Sequence, residues 1–88
     1  MLLSLIILCS CTNPKKVLVK DKNSRKYANE IKSSLDSGTA RKFEENYKQV
    51  LMWGELGEKG RAAIAKNYGE RYEYLTLGDL VTHSTSNK

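Results

Sequence analysis

Thr39 to Trp53 reads TARKFEENYKQVLMW, and this stretch decides how the chain folds. Its large apolar residues are Phe43, Tyr47, Val50 and Leu51, at offsets 0, 4, 7 and 8. An α-helix turns once every 3.6 residues, so this spacing sets all four on one stripe and leaves the polar residues outside it. Glu44 and Lys48 are four apart with the acid first, and Arg41 and Glu45 make a second i, i+4 pair. Thr39 is suited to cap the start by accepting a backbone N–H. Gly54 and Gly57 weaken continuation past Trp53. The prediction is a helix over about residues 39–53 whose apolar stripe needs other elements to cover it.

Helices are predicted on both sides. Upstream, Asn23 or Ser24 caps a helix running to about Asp36, with Tyr27, Ile31 and Leu35 on one face and Ala28 beside it. Ser37-Gly38 ends it, with Gly38 in the left-handed C-cap conformation. Downstream, a helix from about Glu58 to Tyr68 carries Ala62, Ile64, Ala65 and Tyr68, and Gly69 caps its end. Gly60 falls in its first turn, where glycine costs least.

The outermost segments favour strands. Lys16 to Lys20 is KVLVK, a short β candidate. Glu70 to Leu77 is ERYEYLTL, which as a strand has Tyr72, Tyr74 and Thr76 on one face and Leu75 and Leu77 on the other. Gly78-Asp79 then reads as a turn, Leu80 and Val81 pack back onto the core, and residues 83–88 read as a flexible tail. The expected fold is mainly α, a small α+β domain of three short helices with a two-stranded sheet. Two strands alone are marginal, so that sheet depends on packing against the helices.

The chain has 88 residues, 40% apolar and 28% charged, a globular composition with room for one domain. The net charge of +5 is unevenly placed. Lys15, Lys16, Lys20, Lys22, Arg25 and Lys26 stand against one acid, Asp21, and carry all of it, while residues 27–88 sum to zero. This basic collar is either a membrane-facing patch or a solvated linker. Each basic residue close to an anionic membrane contributes about 1 kcal/mol.

Met1 to Leu8 is MLLSLIIL, too short an apolar run to span a bilayer as a helix and close in length to a signal-peptide apolar region. No lysine or arginine precedes it, so its positive end is either the initiator amine or lies upstream. The run ends in Leu8-Cys9-Ser10-Cys11, which resembles the lipobox of bacterial lipoproteins. Leu8 and Ser10 stand in the two specifying places and Cys11 in the place of the acylated cysteine. The resemblance covers about eleven residues. It implies that residues 1–10 are a signal peptide removed before Cys11, that Cys11 carries the lipid, and that Cys9 leaves with the leader. Residues 11–16 are then a lipidated tether, residues 17–82 one globular domain. Thr12 stands where many Gram-negative lipoproteins retained at the inner membrane have aspartate, which points to the outer membrane if the cell has one.

Arg61 to Arg71, RAAIAKNYGER, resembles the opening of a DNA-reading helix-turn-helix, with Ala65 for close helix approach and Gly69 for the turn. Glu70 stands where an apolar residue is usual, and the stretch that follows has few base-reading side chains, which weighs against nucleic acid as a partner. His83 is the only histidine and has no companions at metal-ligand spacing. Glu55, Glu58, Glu70 and Glu73 are not paired by spacing, and no nucleophile set or phosphate loop is present. No catalytic residue, metal or cofactor is expected.

Trp53, Tyr72 and Tyr74 are the expected partner-binding residues. Trp53 lies off its helix's stripe beside Gly54, and Tyr72 and Tyr74 fall on an edge strand able to extend a partner's sheet. The expectation is a membrane-anchored, non-catalytic binding or accessory module of the bacterial cell envelope, docking an envelope protein not identified by the sequence. One alternative is a membrane-perturbing lysis or release lipoprotein, a class that is shorter and lacks a core. The other is a cytosolic DNA-binding protein whose N-terminus is not a signal.

Overall fold

The stripe of Phe43, Tyr47 and Val50 is fully buried at the centre of the computed structural model, which describes residues 13–85. Among the described residues there are four helices: α1, Ser24–Ser33; α2, Ser37–Gly54; α3, Glu58–Tyr68; and α4, Leu77–Thr85. Short 3-10 turns occupy Pro14–Lys16 and Tyr72–Tyr74. Helix α2 packs against each of α1, α3 and α4, so its stripe is covered from several sides. Ala28 and Ile31 of α1, Ile64 and Tyr68 of α3, and Leu77 and Leu80 of α4 close the core.

The boundary between α1 and α2 differs from the expected one. Asp36, not Thr39, caps α2, and its Oδ2 accepts the Thr39 N–H at 3.1 Å. A carboxylate next to the positive end of the helix dipole is a stronger cap than a neutral hydroxyl. The Thr39 side chain first, and then its N–H, hold the Asp36 carboxyl below its ordinary pKa. Gly38 therefore lies in the first turn of α2 rather than in a left-handed C-cap, and α1 stops at Ser33.

Helix α3 has the expected bounds, and Gly69 closes it in the left-handed conformation, φ 73°. Gly60 is more than a tolerated weakness. A Cβ there would overlap the carbonyl oxygen of Trp53, so only glycine lets α3 begin against the last turn of α2.

The expected sheet does not form among the described residues. One antiparallel bridge joins Leu18 to Thr76. Val19 N–H donates to the Leu75 carbonyl at 2.9 Å and Leu77 N–H to the Val17 carbonyl at 2.8 Å. Tyr72–Tyr74 is a 3-10 turn and not a strand. The ladder stops where α4 starts. Thr76 N–H donates to Asp79 Oδ2 at 2.9 Å, and Asp79 N–H donates to Thr76 Oγ1 at 3.1 Å. This reciprocal pair is a capping box, and it makes Gly78-Asp79 part of the first turn of a helix instead of the expected chain turn.

The start of the expected tail is corrected as well. His83, Ser84 and Thr85 belong to α4, and Ser84 is buried. Ser84 Oγ donates to the Leu80 carbonyl at 2.7 Å and accepts from Asn46 Nδ2 at 3.1 Å. The Tyr68 hydroxyl lies 3.1 Å from both Asn46 Oδ1 and Gln49 Oε1, which share its single proton. These polar contacts join α2, α3 and α4 across the core. Residues 86–88, the rest of that expected tail, lie outside the described residues.

Candidate binding surfaces

Two surfaces carry the residues singled out in the sequence. The first is the N-terminal edge. Pro14 opens the 3-10 turn with its φ preset, and Asn13 caps it through Oδ1, which accepts the Lys15 N–H at 3.0 Å. Lys15 and Lys16 are exposed on that turn, Lys20 and Lys22 on the following one, and Lys26 on the first turns of α1. Asp21, the acid among them, accepts the Asn23 N–H at 2.8 Å and so sets the entry to α1. None of these five lysines makes an ion pair among the described residues. Lys26 lies 5.5 Å from the centre of the Tyr27 ring.

Arg25 is placed differently from the lysines on either side of it. Its two terminal nitrogens bond both Glu44 oxygens, at 3.0 and 2.9 Å. The guanidinium also lies 4.5 Å from the centre of the Tyr47 ring. Glu44 gathers Lys32 at 2.8 Å and Lys48 at 3.7 Å as well. The bonds from Arg25 first, then those from Lys32, pull the Glu44 carboxyl down to about 2 against the burial that opposes them. Arg25 thus ties α1 to α2. Cys11, the expected lipid attachment, lies outside the described residues.

The second surface is an open groove of about 300 Å³ beside α3 and the Tyr72–Tyr74 turn. Ala62, Ala65 and Tyr72 give it an apolar lining, and Glu58, Arg61, Arg71 and Glu73 give it charges of both signs. Tyr72 is held there by Gly54: a Cβ on that glycine would sit 2.6 Å from the ring's Cζ. Burial pushes the Tyr72 phenol's pKa up, and the Arg61 guanidinium lies 5.3 Å from the ring centre.

The three expected partner residues are not one cluster. Tyr72 lines the groove. Tyr74 is 59% exposed, with Arg71 at 5.8 Å from its ring centre. Trp53 is half-buried and packs edge-on against Tyr68, with ring centres 6.5 Å apart. Two exposed residues beside Trp53 were not anticipated, Met52 and Leu56. Met52 is nine residues from Phe43, which turns it about 180° from the buried stripe. A large apolar residue at that angle is a readable sign of an exposed patch.

His83 is not a ligand set either. Its Nε2 lies 3.1 Å from the Tyr68 carbonyl oxygen, and its ring stands edge-on to Tyr68 with centres 5.0 Å apart. No group of three or more His, Cys, Asp or Glu is placed to hold a metal among the described residues. The helix-turn-helix resemblance loses its geometry, because eight residues, Gly69 to Thr76, separate α3 from α4. A tight turn of three or four is what that motif uses. Helix α4, LGDLVTHST, also has no lysine or arginine to offer a phosphate or a base.

No family model, curated protein or solved structure matches the chain. No described helix is long and apolar enough to cross a membrane.

Proposed function

We propose that this protein is a lipid-anchored, non-catalytic binding or accessory module of the bacterial cell envelope, held at the outer membrane where the cell has one. The observation that carries the reading is Leu8-Cys9-Ser10-Cys11 after the apolar run Met1–Leu8. A small residue before the cysteine and a leucine three before it are what the lipoprotein peptidase accepts. The lipid on Cys11 supplies the anchor, and more than one acyl chain makes such anchoring stable. Support also comes from the packed four-helix core, which a purely membrane-perturbing peptide does not need. The groove at Tyr72, with the exposed Tyr74 two residues on, is the surface offered to an envelope protein, and Trp53 lies outside its lining.

The test is intact mass and detergent partitioning of the chain expressed in bacteria, beside Cys11→Ala. The expected product starts at Cys11, is heavier by its acyl groups and partitions into detergent, and Cys11→Ala abolishes processing and acylation. An unmodified full-length wild-type chain in the aqueous phase overturns the proposal.

A further inference from the structure

We propose that the domain lies directly on an anionic lipid headgroup surface through Lys15, Lys16, Lys20, Lys22 and Lys26, with Arg25 excluded from that contact. The orientation rests on the reading of Cys11 as the lipid-bearing residue, whereas the electrostatic attraction does not.

The first argument is reach. Only Thr12 separates Cys11 from Asn13, the first described residue. Two residues extend at most about 7 Å. A lipid on Cys11 therefore holds the edge of the domain within about one Debye length of the headgroups at physiological salt.

The second argument is rigidity. Residues 14–16 were expected to be a tether, and they are instead part of the body. The Pro14–Lys16 turn packs on α1 and α4. The Lys15 carbonyl fits so closely over Gly78 that a Cβ there would be 2.8 Å from its oxygen. Backbone bonds to Leu75 and Leu77 fix Val19 and Val17 just behind it. Because that turn is part of the body, a lipid two residues before it brings this edge of the domain, with its lysines, to the headgroups.

The third argument is charge. All five lysines are exposed and without an ion-pair partner among the described residues, and Asp21 among them is engaged with a backbone N–H. Residues 27–88 sum to zero, so the rest of the chain offers no comparable net attraction. Arg25 is set apart because both its terminal nitrogens are bound to Glu44.

Partitioning of the full-length Cys11→Ala chain onto vesicles tests the attraction without the lipid. Pure phosphatidylcholine vesicles are compared with equimolar phosphatidylcholine–phosphatidylglycerol vesicles. The apolar leader acts alike on both, so the difference between them reads the lysines. Each Lys→Gln change is expected to weaken binding to the anionic vesicles by up to about fivefold. Changing all five removes the preference, as does molar salt, while Arg25→Gln alters it less than any single lysine does. Equal binding of the unsubstituted chain to both vesicles overturns the proposal. So does a preference that survives loss of all five lysines, or an Arg25→Gln effect as large as theirs.

The orientation is read separately on the acylated wild-type protein seated on the anionic vesicles, by acetylation of lysines and mass spectrometry. Protection of the five collar lysines relative to the exposed Lys42, Lys59 and Lys66 is expected. Uniform labelling overturns the orientation. If instead Cys11 proves unmodified in the mass measurement, the anchoring reading fails while the vesicle result stands by itself.

Discussion

The contact of α1 with α2 and the contact of residues 17–19 with residues 75–77 join distant parts of the chain by different means. The first is made by side chains: Ser24 Oγ and Tyr47 OH 2.7 Å apart in the core, and Arg25 and Lys32 on Glu44. The second is made by backbone, with two N–H···O bonds flanking one bridge. Its side chains Val19, Leu75 and Leu77 are fully buried. A neutral hydrogen bond contributes about 1 kcal/mol net, whereas full burial of a Leu or Val contributes about 1.5–3 kcal/mol. On its side α1 buries only Ala28 and Ile31, a smaller apolar surface than Val19, Leu75 and Leu77, so the backbone seam should be the stronger of the two, through what it buries rather than through its bonds.

Leu75→Ala should have the largest effect. The side chain is wholly buried at the point where both termini of the domain meet α2's core. Truncation is expected to cost about 3 kcal/mol, a fall in Tm of the order of 10–20 °C for a domain this size. Thermal melting followed by circular dichroism checks it. A loss under about 1 kcal/mol would mean that the seam gives way around the site, and the order of the two seams would be reversed.

The same contrast explains what the sequence disclosed. Residue identity and spacing were enough to read α2's stripe, the body of α1 and the bounds of α3, because helical contacts are local and periodic. The joint at residues 75–77 depends on register between segments nearly sixty residues apart, and Leu75 and Leu77 satisfy a strand pattern as well as their actual packing. One local signal was available and decides against the strand. Thr76-Leu77-Gly78-Asp79 has the form of a capping box, and Leu77, Leu80, Val81 and Ser84 follow at offsets 0, 3, 4 and 7. Reading it would have turned the expected tail into α4. Of the candidate site, the run of basic residues was legible from composition, whereas Tyr74 is exposed on a 3-10 turn and not on the edge strand that its pattern suggested. The capture of Arg25 by Glu44 was not legible, because the sequence pairs Glu44 with Lys48 and nothing in it brings α1 alongside.

Ser24 and Tyr47 sharpen the comparison from the side-chain seam. Each hydroxyl is buried with the other as its partner, so Ser24→Ala and Tyr47→Phe each strand one polar group. The expected cost is about 1–2 kcal/mol for either change. The double variant should cost less than the sum, because no orphaned hydroxyl remains, and denaturant unfolding of the four chains reads the difference. Strict additivity would show that the bond adds nothing to the contact of α1 with α2.

The smallest expected effect is electrostatic and has a defined pH window. Glu44 ionises at about 2 in the folded chain, against 4.5 for an unperturbed glutamate, because Arg25 and then Lys32 bond its charged form. Above about pH 4.5 the carboxylate is charged in both folded and unfolded chains and the stabilisation is complete. Between 4.5 and 2 the unfolded chain takes up a proton that the folded chain refuses, so stability falls as pH falls and the contribution is gone below 2. The Arg25 side chain is 44% exposed and water screens the pair, which holds the expected contribution to about 1 kcal/mol. Asp36 shifts in the same direction, so the measurement is the difference between wild type and Glu44→Gln in unfolding free energy from pH 6 to pH 2. The variant should lose part of the acid-side slope, and molar salt should shrink the gap between the chains. Identical slopes would mean that α1 is held to α2 by the Ser24–Tyr47 bond and the buried Ala28 and Ile31 alone, with Arg25 as available to an anionic surface as the lysines around it.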